Sequence, residues 1–224
     1  LLGAQGATLL VNISASPFSA GKEEVRYGLM SEHARRHRAP FVYVNQVGAN
    51  DELIFDGRSM VLDASGDPLA VLPAFEEAVV TVETGGPACG MPYQPLEPLA
   101  SIHDALVLGI RDYVRKSGFS RAVVGLSGGI DSALTFYLAC QALGPDRVLG
   151  VGMPSPYSSP GSISDARQLA ANLGAEFWLI PIEAINKSYL EALAPHFAGT
   201  EPNVTEENIQ ARIRGNILMA ISNK

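Results

Sequence analysis

Apolar and polar positions follow a mixed rhythm in the first third of the chain. Thr8 to Ile13 (TLLVNI) is a short, β-branched apolar run that predicts a buried strand. Ser14-Ala15-Ser16-Pro17-Phe18 has the composition of a loop. Lys22 to Arg38 shows helical spacing at Val25, Leu29 and Ala34 and ends in a basic turn, Arg35 to Arg38, before Pro40. Cations suit the C-terminal end of a helix dipole, and the cluster reads as a solvated helix end. Phe41 to Val47 predicts a second strand. Leu53-Ile54-Phe55 and Arg58 to Leu62 predict a hairpin across Asp56-Gly57, with a second turn at Ala64 to Asp67 and a further strand at Val79 to Val82.

Gly85 to Pro98 is rich in Gly and Pro, has no periodic apolar pattern, and reads as a linker. Beyond it the pattern becomes regular. Ser101-Ile102-His103-Asp104 has the form of a capping box, and Ile102, Ala105, Leu106, Ile110, Tyr113 and Val114 fall on one helical face. Strands at Ala122–Leu126, Val148–Met153 and Phe177–Ile182 then alternate with helices at Ser132–Leu143, Ile163–Leu173 and Ala184–Leu193, and a last helix runs from Glu206 to about Ile221. Repeated βα units imply a parallel sheet covered on both faces. The division is therefore a first domain at 1–84, a linker at 85–100, and a second domain at 101–224. No internal repeat and no low-complexity tract occurs.

Composition narrows the classes. Of 224 residues, 47% are hydrophobic and 17% charged, which is too apolar for a disordered chain. The 22 Gly and 15 Pro follow no period, so the chain is not collagen-like. No apolar run approaches the length of a membrane span, and no secretion signal is visible. The net charge of −7, from 16 Lys+Arg against 23 Asp+Glu, disfavours nucleic acid as a partner but leaves room for a small anion bound by backbone amides. Two cysteines, Cys89 and Cys140, read as reduced thiols of a cytoplasmic protein. Residue 1 is Leu, and the chain stops at Lys224 where a helix is just finishing. The expectation is an internal fragment of a longer protein.

Candidate chemistry concentrates at the first βα junction of the second domain, Gly125-Leu126-Ser127-Gly128-Gly129-Ile130-Asp131-Ser132. A helix N-terminus has unpaired N–H groups and a positive dipole end. Glycines let that backbone come close to a ligand, and the combination suits phosphate or pyrophosphate. Ser127 and Ser132 add hydroxyl donors. Asp131 would be repelled by a phosphate unless a divalent cation came with it, so it is the candidate metal residue. A plain Gly-rich turn with Asp131 as a helix-start charge is the alternative. Spacing excludes a Walker P-loop and a GxGxxG dinucleotide fingerprint.

Ser127-Gly128-Gly129-Ile130-Asp131-Ser132 resembles the SGGxDS pyrophosphate loop of the ATP pyrophosphatase superfamily. Met153 to Ser159 (MPSPYSS) and Thr205 to Gly215 (TEENIQARIRG) resemble the glutamine-dependent NAD+ synthetase family, and Asn12 to Phe18 with Gly21-Lys22 resembles the nitrilase-type glutaminase domain of that family. The resemblance spans the chain. It implies a partial nitrilase-like α/β sandwich followed by a Rossmann-like parallel-sheet ATP pyrophosphatase domain. It also implies ATP-dependent amidation of deamido-NAD+ to NAD+, through an adenylate, with ammonia from glutamine and release of AMP and pyrophosphate.

Carried onto this sequence, the resemblance assigns Gly125 to Ser132 to ATP, Asp131 to Mg2+, Asn208 and Arg212 to deamido-NAD+, and Ser16 and Lys22 to glutamine. Arg212 follows Asn208 at i+4 on one helical face. Glu207 and Arg214 read as solvated. The implied partners are small molecules, with neither nucleic acid nor membrane, and the implied parent is a cytoplasmic homo-oligomer. The family's nucleophilic Cys, with its Glu and Lys, has no counterpart here: Cys89 falls in the linker and Cys140 on the apolar side of a helix. A later segment of the Thr-Gly-Asn-Lys-Ser-Glu type is also missing. The chain alone is therefore expected to turn over neither reaction. Two alternatives are another ATP pyrophosphatase amidotransferase, of the GMP or asparagine synthetase type, and a non-catalytic nucleotide-binding fragment.

Overall fold

Two small parallel arrangements organise the chain, one near each end. The computed structural model describes residues 5–85, 92–155, 158–201 and 203–224. Residues 86–91 of the predicted linker, with Cys89 among them, and Pro156-Tyr157 lie outside the described residues. Packing divides the chain into two units, the first through Tyr113 and the second from Val114.

In the first unit, β1 (Leu10–Ser14) pairs in parallel with β2 (Phe41–Asn45), in register from Leu10↔Phe41 to Ser14↔Asn45. β3 (Val47–Asn50) and β4 (Leu53–Asp56) form an antiparallel hairpin of their own. β5 (Met60–Leu62) pairs antiparallel with β2, and β6 (Pro68–Val71) with β5, which makes the sheet order β1-β2-β5-β6. Helix α1 (Lys22–His37) connects β1 to β2, and its Tyr27 and Met30 pack on Tyr43, Met60 and Leu62.

Several expectations change here. The hairpin turn is at Asp51-Glu52, not Asp56-Gly57; the latter carries the chain from one sheet to the other. Val79 to Val82 forms no strand and has no regular secondary structure. β1 forms as predicted, but Val11 and Ile13 on its outer face are exposed, since no described element covers that side. In α1 the apolar Val25 and Leu29 are 61% and 53% exposed, while Glu23, Arg26, Ser31 and Ala34 are buried. The helix turns its polar face inward because that face finds charge and hydrogen-bond partners there.

Helix α2 (Pro98–Lys116) starts three residues before the predicted cap. Glu97 accepts the Ala100 N–H at 2.6 Å, Pro98 opens the first turn where its missing N–H is not needed, and Ser101 bonds back to the Pro98 carbonyl. Its buried stripe is Ser101, Ala105, Leu108 and Asp112, whereas Ile102, Leu106 and Tyr113 of the predicted face are exposed. Ala105 and Leu108 join Phe75 in one cluster, and Asp112 accepts the Ala49 N–H at 2.9 Å. These contacts are why the packing boundary falls inside α2 and not in the Gly/Pro stretch.

The second unit is the regular one. β7 (Ala122–Leu126), β8 (Val148–Gly152) and β9 (Glu176–Leu179) form a parallel sheet in that order. Helices α3 (Ile130–Leu143) and α4 (Pro160–Leu173) cover one face through Phe136, Ala139, Cys140, Ala166 and Ala170. α5 (Glu183–Leu193) leads to α6 (Val204–Ser222), whose Ile213 closes the other face on Val151, Met153 and Ile182. A sheet buried on both sides needs near-continuous apolar strands, and VLGVG is such a strand.

Candidate nucleotide cleft and strand-end loop

β7 stops at Leu126, and four residues later α3 begins. Gly128 makes this short connection possible. Its φ is +84°, and a Cβ there would lie 2.6 Å from the backbone and side chain of Ser162 at the start of α4. The turn is thus pressed against a second helix N-terminus. Ser159 caps α4 by accepting the Ser162 N–H at 3.1 Å.

The two serines of the turn are committed to the turn itself. Ser132 Oγ donates to the Gly129 carbonyl at 2.9 Å and lies 3.1 Å from Ser127 Oγ, which accepts the Gly129 N–H at 3.2 Å. Each hydroxyl has one proton, so Ser132 gives its proton to Gly129 and Ser127 gives its own to Ser132. The first-turn N–H groups of Ile130, Asp131 and Ser132 have no acceptor within the helix. Asp131 is exposed in the same turn.

Beside this turn lies a cleft of about 370 Å³, lined by Gly125 to Ser127, Gly152 to Pro154, Ser158, Ser162, Ile163, Ala166, Arg214 and Leu218. It sits beyond the C-terminal ends of β7 and β8, the end where open α/β sheets bind ligands. Its floor is apolar and its cation is Arg214, which donates to the Met153 carbonyl at 3.0 Å. The sequence reading treated Arg214 as solvated. The signal that would have placed it is helical phase: Arg214 follows the buried Ile213 and precedes Leu218, a cleft residue, by one turn. Asn208 and Arg212 lie on α6 but are exposed and outside the cleft lining.

Ser16 and Lys22 are brought together in the first unit, where β1 and β2 end. Lys22 Nζ donates to the Pro17 carbonyl at 3.0 Å, and Arg26 reaches the same oxygen at 3.3 Å. Arg26 is also held by both oxygens of Asp56, at 2.8 and 2.9 Å, with side-chain exposures of 6% and 2%. Burial alone would lower the Arg26 pKa, but the hydrogen bonds and charge of Asp56 outweigh it and the guanidinium is held above its ordinary value. Asp56 thereby neutralises Arg26. Glu23 pairs with Arg58 at 3.1 Å and accepts the Leu96 N–H, and Arg58 donates to the Gln94 carbonyl at 2.7 Å. Tyr93 stacks on Tyr27 at 4.1 Å. The described part of the predicted linker is therefore fastened to α1.

The NAD synthase family model matches residues 102–224, more than half of the chain. The chain belongs to the NAD synthase family. The carbon-nitrogen hydrolase model matches residues 1–85. Glutamine-dependent NAD(+) synthetases of Synechocystis sp. and Thermotoga maritima are 48% and 43% identical, each over 98% of this chain and over 40% and 44% of their own length. The chain thus spans well under half the length of these curated relatives. A solved glutamine-dependent NAD+ synthetase from Acinetobacter baumannii, in complex with ADP, superposes with a TM-score of 0.89 at 39% identity, covering 99% of this chain and 43% of that one. An NH3-dependent NAD synthetase from Campylobacter jejuni covers 55% of this chain at 31% identity and a TM-score of 0.50. The partial nitrilase-like unit followed by a Rossmann-like parallel-sheet unit agrees with both family models.

Proposed function

We propose that this chain is part of an enzyme that amidates deamido-NAD+ to NAD+, using ATP and ammonia drawn from glutamine. What supports the reading is the Gly128 turn, which opens α3 with three first-turn N–H groups that have no acceptor in their helix, next to Ser127 in the cleft lining. ATP is assigned to Gly125 to Ser132. The backbone donors of Ile130 to Ser132 hold the phosphates, and Ser127 and Ser132 keep the turn closed so that those donors stay aligned as charge grows on the leaving pyrophosphate. Arg214 supplies positive charge in the cleft lining.

No group of three or more His, Cys, Asp and Glu side chains suited to a metal occurs among the described residues. A lone carboxylate at the phosphate turn fits Mg2+ delivered with the nucleotide, whose phosphates would complete its shell, and Asp131 is the residue assigned to it. When bound, the ion neutralises phosphate charge. Asn208 and Arg212 are assigned to deamido-NAD+ as one exposed polar stripe of α6. Ser16 and Lys22 are assigned to glutamine: a hydroxyl and a cation suit the polar ends of an amino acid. Among the described residues no helix is long and apolar enough to cross a membrane. A cytoplasmic, homo-oligomeric parent belongs to the same proposal.

Calorimetry of this chain with ATP and Mg2+ tests the cleft. Binding is expected, and Ser127→Ala and Asp131→Ala should each weaken it at least tenfold, about 1.4 kcal/mol. Binding unaffected by both substitutions would remove the assignment.

A further inference from the structure

The loop that carries Ser16 is held from behind by groups from three other segments. β1 and β2 end in register at Ser14 and Asn45, so the chain leaves both strands on one side of the sheet. Asn45 is 6% exposed. Its side-chain oxygen accepts the Ser16 N–H at 2.8 Å, and its amide nitrogen donates to the Ser16 carbonyl at 3.2 Å and to the Gly57 carbonyl at 3.0 Å. One buried amide thus closes both backbone groups of a single loop residue. The next carbonyl, of Pro17, is taken by Lys22 and Arg26, and Arg26 is itself locked on Asp56. Both backbone groups of Ser16 are thereby committed to Asn45, and the hydroxyl is the group of Ser16 assigned to glutamine.

Gly57 completes the bracket. Its N–H donates to the Gln46 carbonyl at 2.9 Å, its φ is +65°, and a Cβ there would lie 2.5 Å from Val47. The side chain of Asn45 therefore spans two tight backbone segments, each unable to drift without leaving a buried polar group unpaired.

We propose that Asn45, backed by the Arg26–Asp56 pair, is the positioning residue of the glutamine-binding loop: it touches no ligand but fixes where the Ser16 hydroxyl and the Lys22 ammonium stand. This rests on the assignment of Ser16 and Lys22 to glutamine. The physical need is plain. A site that reads an amino acid by one hydroxyl and one cation requires both to be held within a fraction of an ångström, and a surface loop is not so held by itself. Asp56 neutralises the buried Arg26, whereas Lys22 has no carboxylate partner among the described residues, which matches an α-carboxylate.

The test uses the full-length protein that contains this chain, with glutamine-dependent and ammonia-dependent NAD+ formation measured side by side. Asn45→Asp keeps the acceptor for Ser16 and removes both donors at constant size. It is expected to raise KM for glutamine about tenfold while ammonia-dependent kcat stays within about twofold. Asn45→Leu removes all three bonds and should raise KM further; if it does not fold, the isosteric Asp variant carries the test. Ser16→Ala and Lys22→Met report on the site itself. If they raise KM for glutamine and Asn45→Asp does not, the positioning role is overturned and the glutamine site stands. A parallel fall of both activities in Asn45→Asp also overturns it, since a merely structural role acts on both. No change in Ser16→Ala and Lys22→Met overturns the glutamine assignment, and no NAD+ formation by the unsubstituted protein overturns the proposed function.

Discussion

Gly128 has a backbone that only glycine adopts freely and a neighbour that leaves no room for a side chain. Gly174, at the C-terminus of α4, has a similar φ of +71° and open space around it. The pair separates two costs. Gly174→Ala should destabilise by about 1 kcal/mol, the left-handed strain alone. Gly128→Ala should cost about 1 kcal/mol more or beyond, because the Ser162 backbone must also move. Urea unfolding followed by Trp178 fluorescence measures both, and equal losses would show that the Ser162 contact is soft. At this scale the sequence located Ser127 and Ser132 but assigned their hydroxyls to a ligand. Whether a hydroxyl proton is spent locally depends on the closed turn, which no spacing rule describes. Arg214 was passed over for the same reason: its value comes from the Met153 carbonyl, 61 residues away in the chain.

Among the elements, α1 and α2 show where periodicity misleads. Both helices were legible as helices. Their faces were not, since an apolar stripe faces the core only if the core has nothing better for the polar stripe. Arg26 has Asp56, Glu23 has Arg58, and Asp112 has the Ala49 N–H, so α1 buries a largely polar stripe and α2 one that mixes Ser101 and Asp112 with Ala105 and Leu108. The strands β7 and β8 and helices α3 to α6 were read nearly to their ends, because a parallel sheet with both faces covered demands unbroken apolar strands. The capping box, expected at Ser101, occurs instead at α6. There Asn203 accepts the Thr205 N–H at 2.9 Å and Glu206 accepts the Asn203 N–H at 2.8 Å. Asn203→Ala is expected to cost about 1 kcal/mol, with Asn203→Asp nearly neutral; a thermal melt read at 222 nm distinguishes them, and a neutral Ala variant would mean the cap contributes nothing.

The whole molecule should lose stability on the alkaline side. Burial raises the Cys140 thiol above its ordinary value. Burial, and then the nearby Glu23 charge, raise Tyr93. A raised folded-state pKa means that the unfolded chain gives up its proton first. The associated stability is fully present below the unfolded values, and is lost as pH rises from about 8.5 for the thiol and about 10 for the phenol. The net charge of −7 adds repulsion in the same direction. The urea midpoint reported by Trp178 should fall progressively above pH 8.5, and Cys140→Ala should flatten the first part of that fall. A slope indifferent to Cys140 would mean that the thiol is not buried.

The sequence by itself determined the order of βα units in the second half, the Gly-rich strand-to-helix turn at Gly128, and the two-part family pattern. Each of these is written in local spacing: strand length, helix period, and glycines where the chain must turn sharply. Tertiary structure alone decided which faces of α1 and α2 are buried, where the packing boundary falls, and how Ser16 is held. Those outcomes depend on partners such as Asp56 for Arg26 and Asn45 for Ser16, about thirty residues apart in the chain. A hydrogen bond or ion pair across that distance leaves no period in the sequence, and it forms only once the strands have set the two ends side by side.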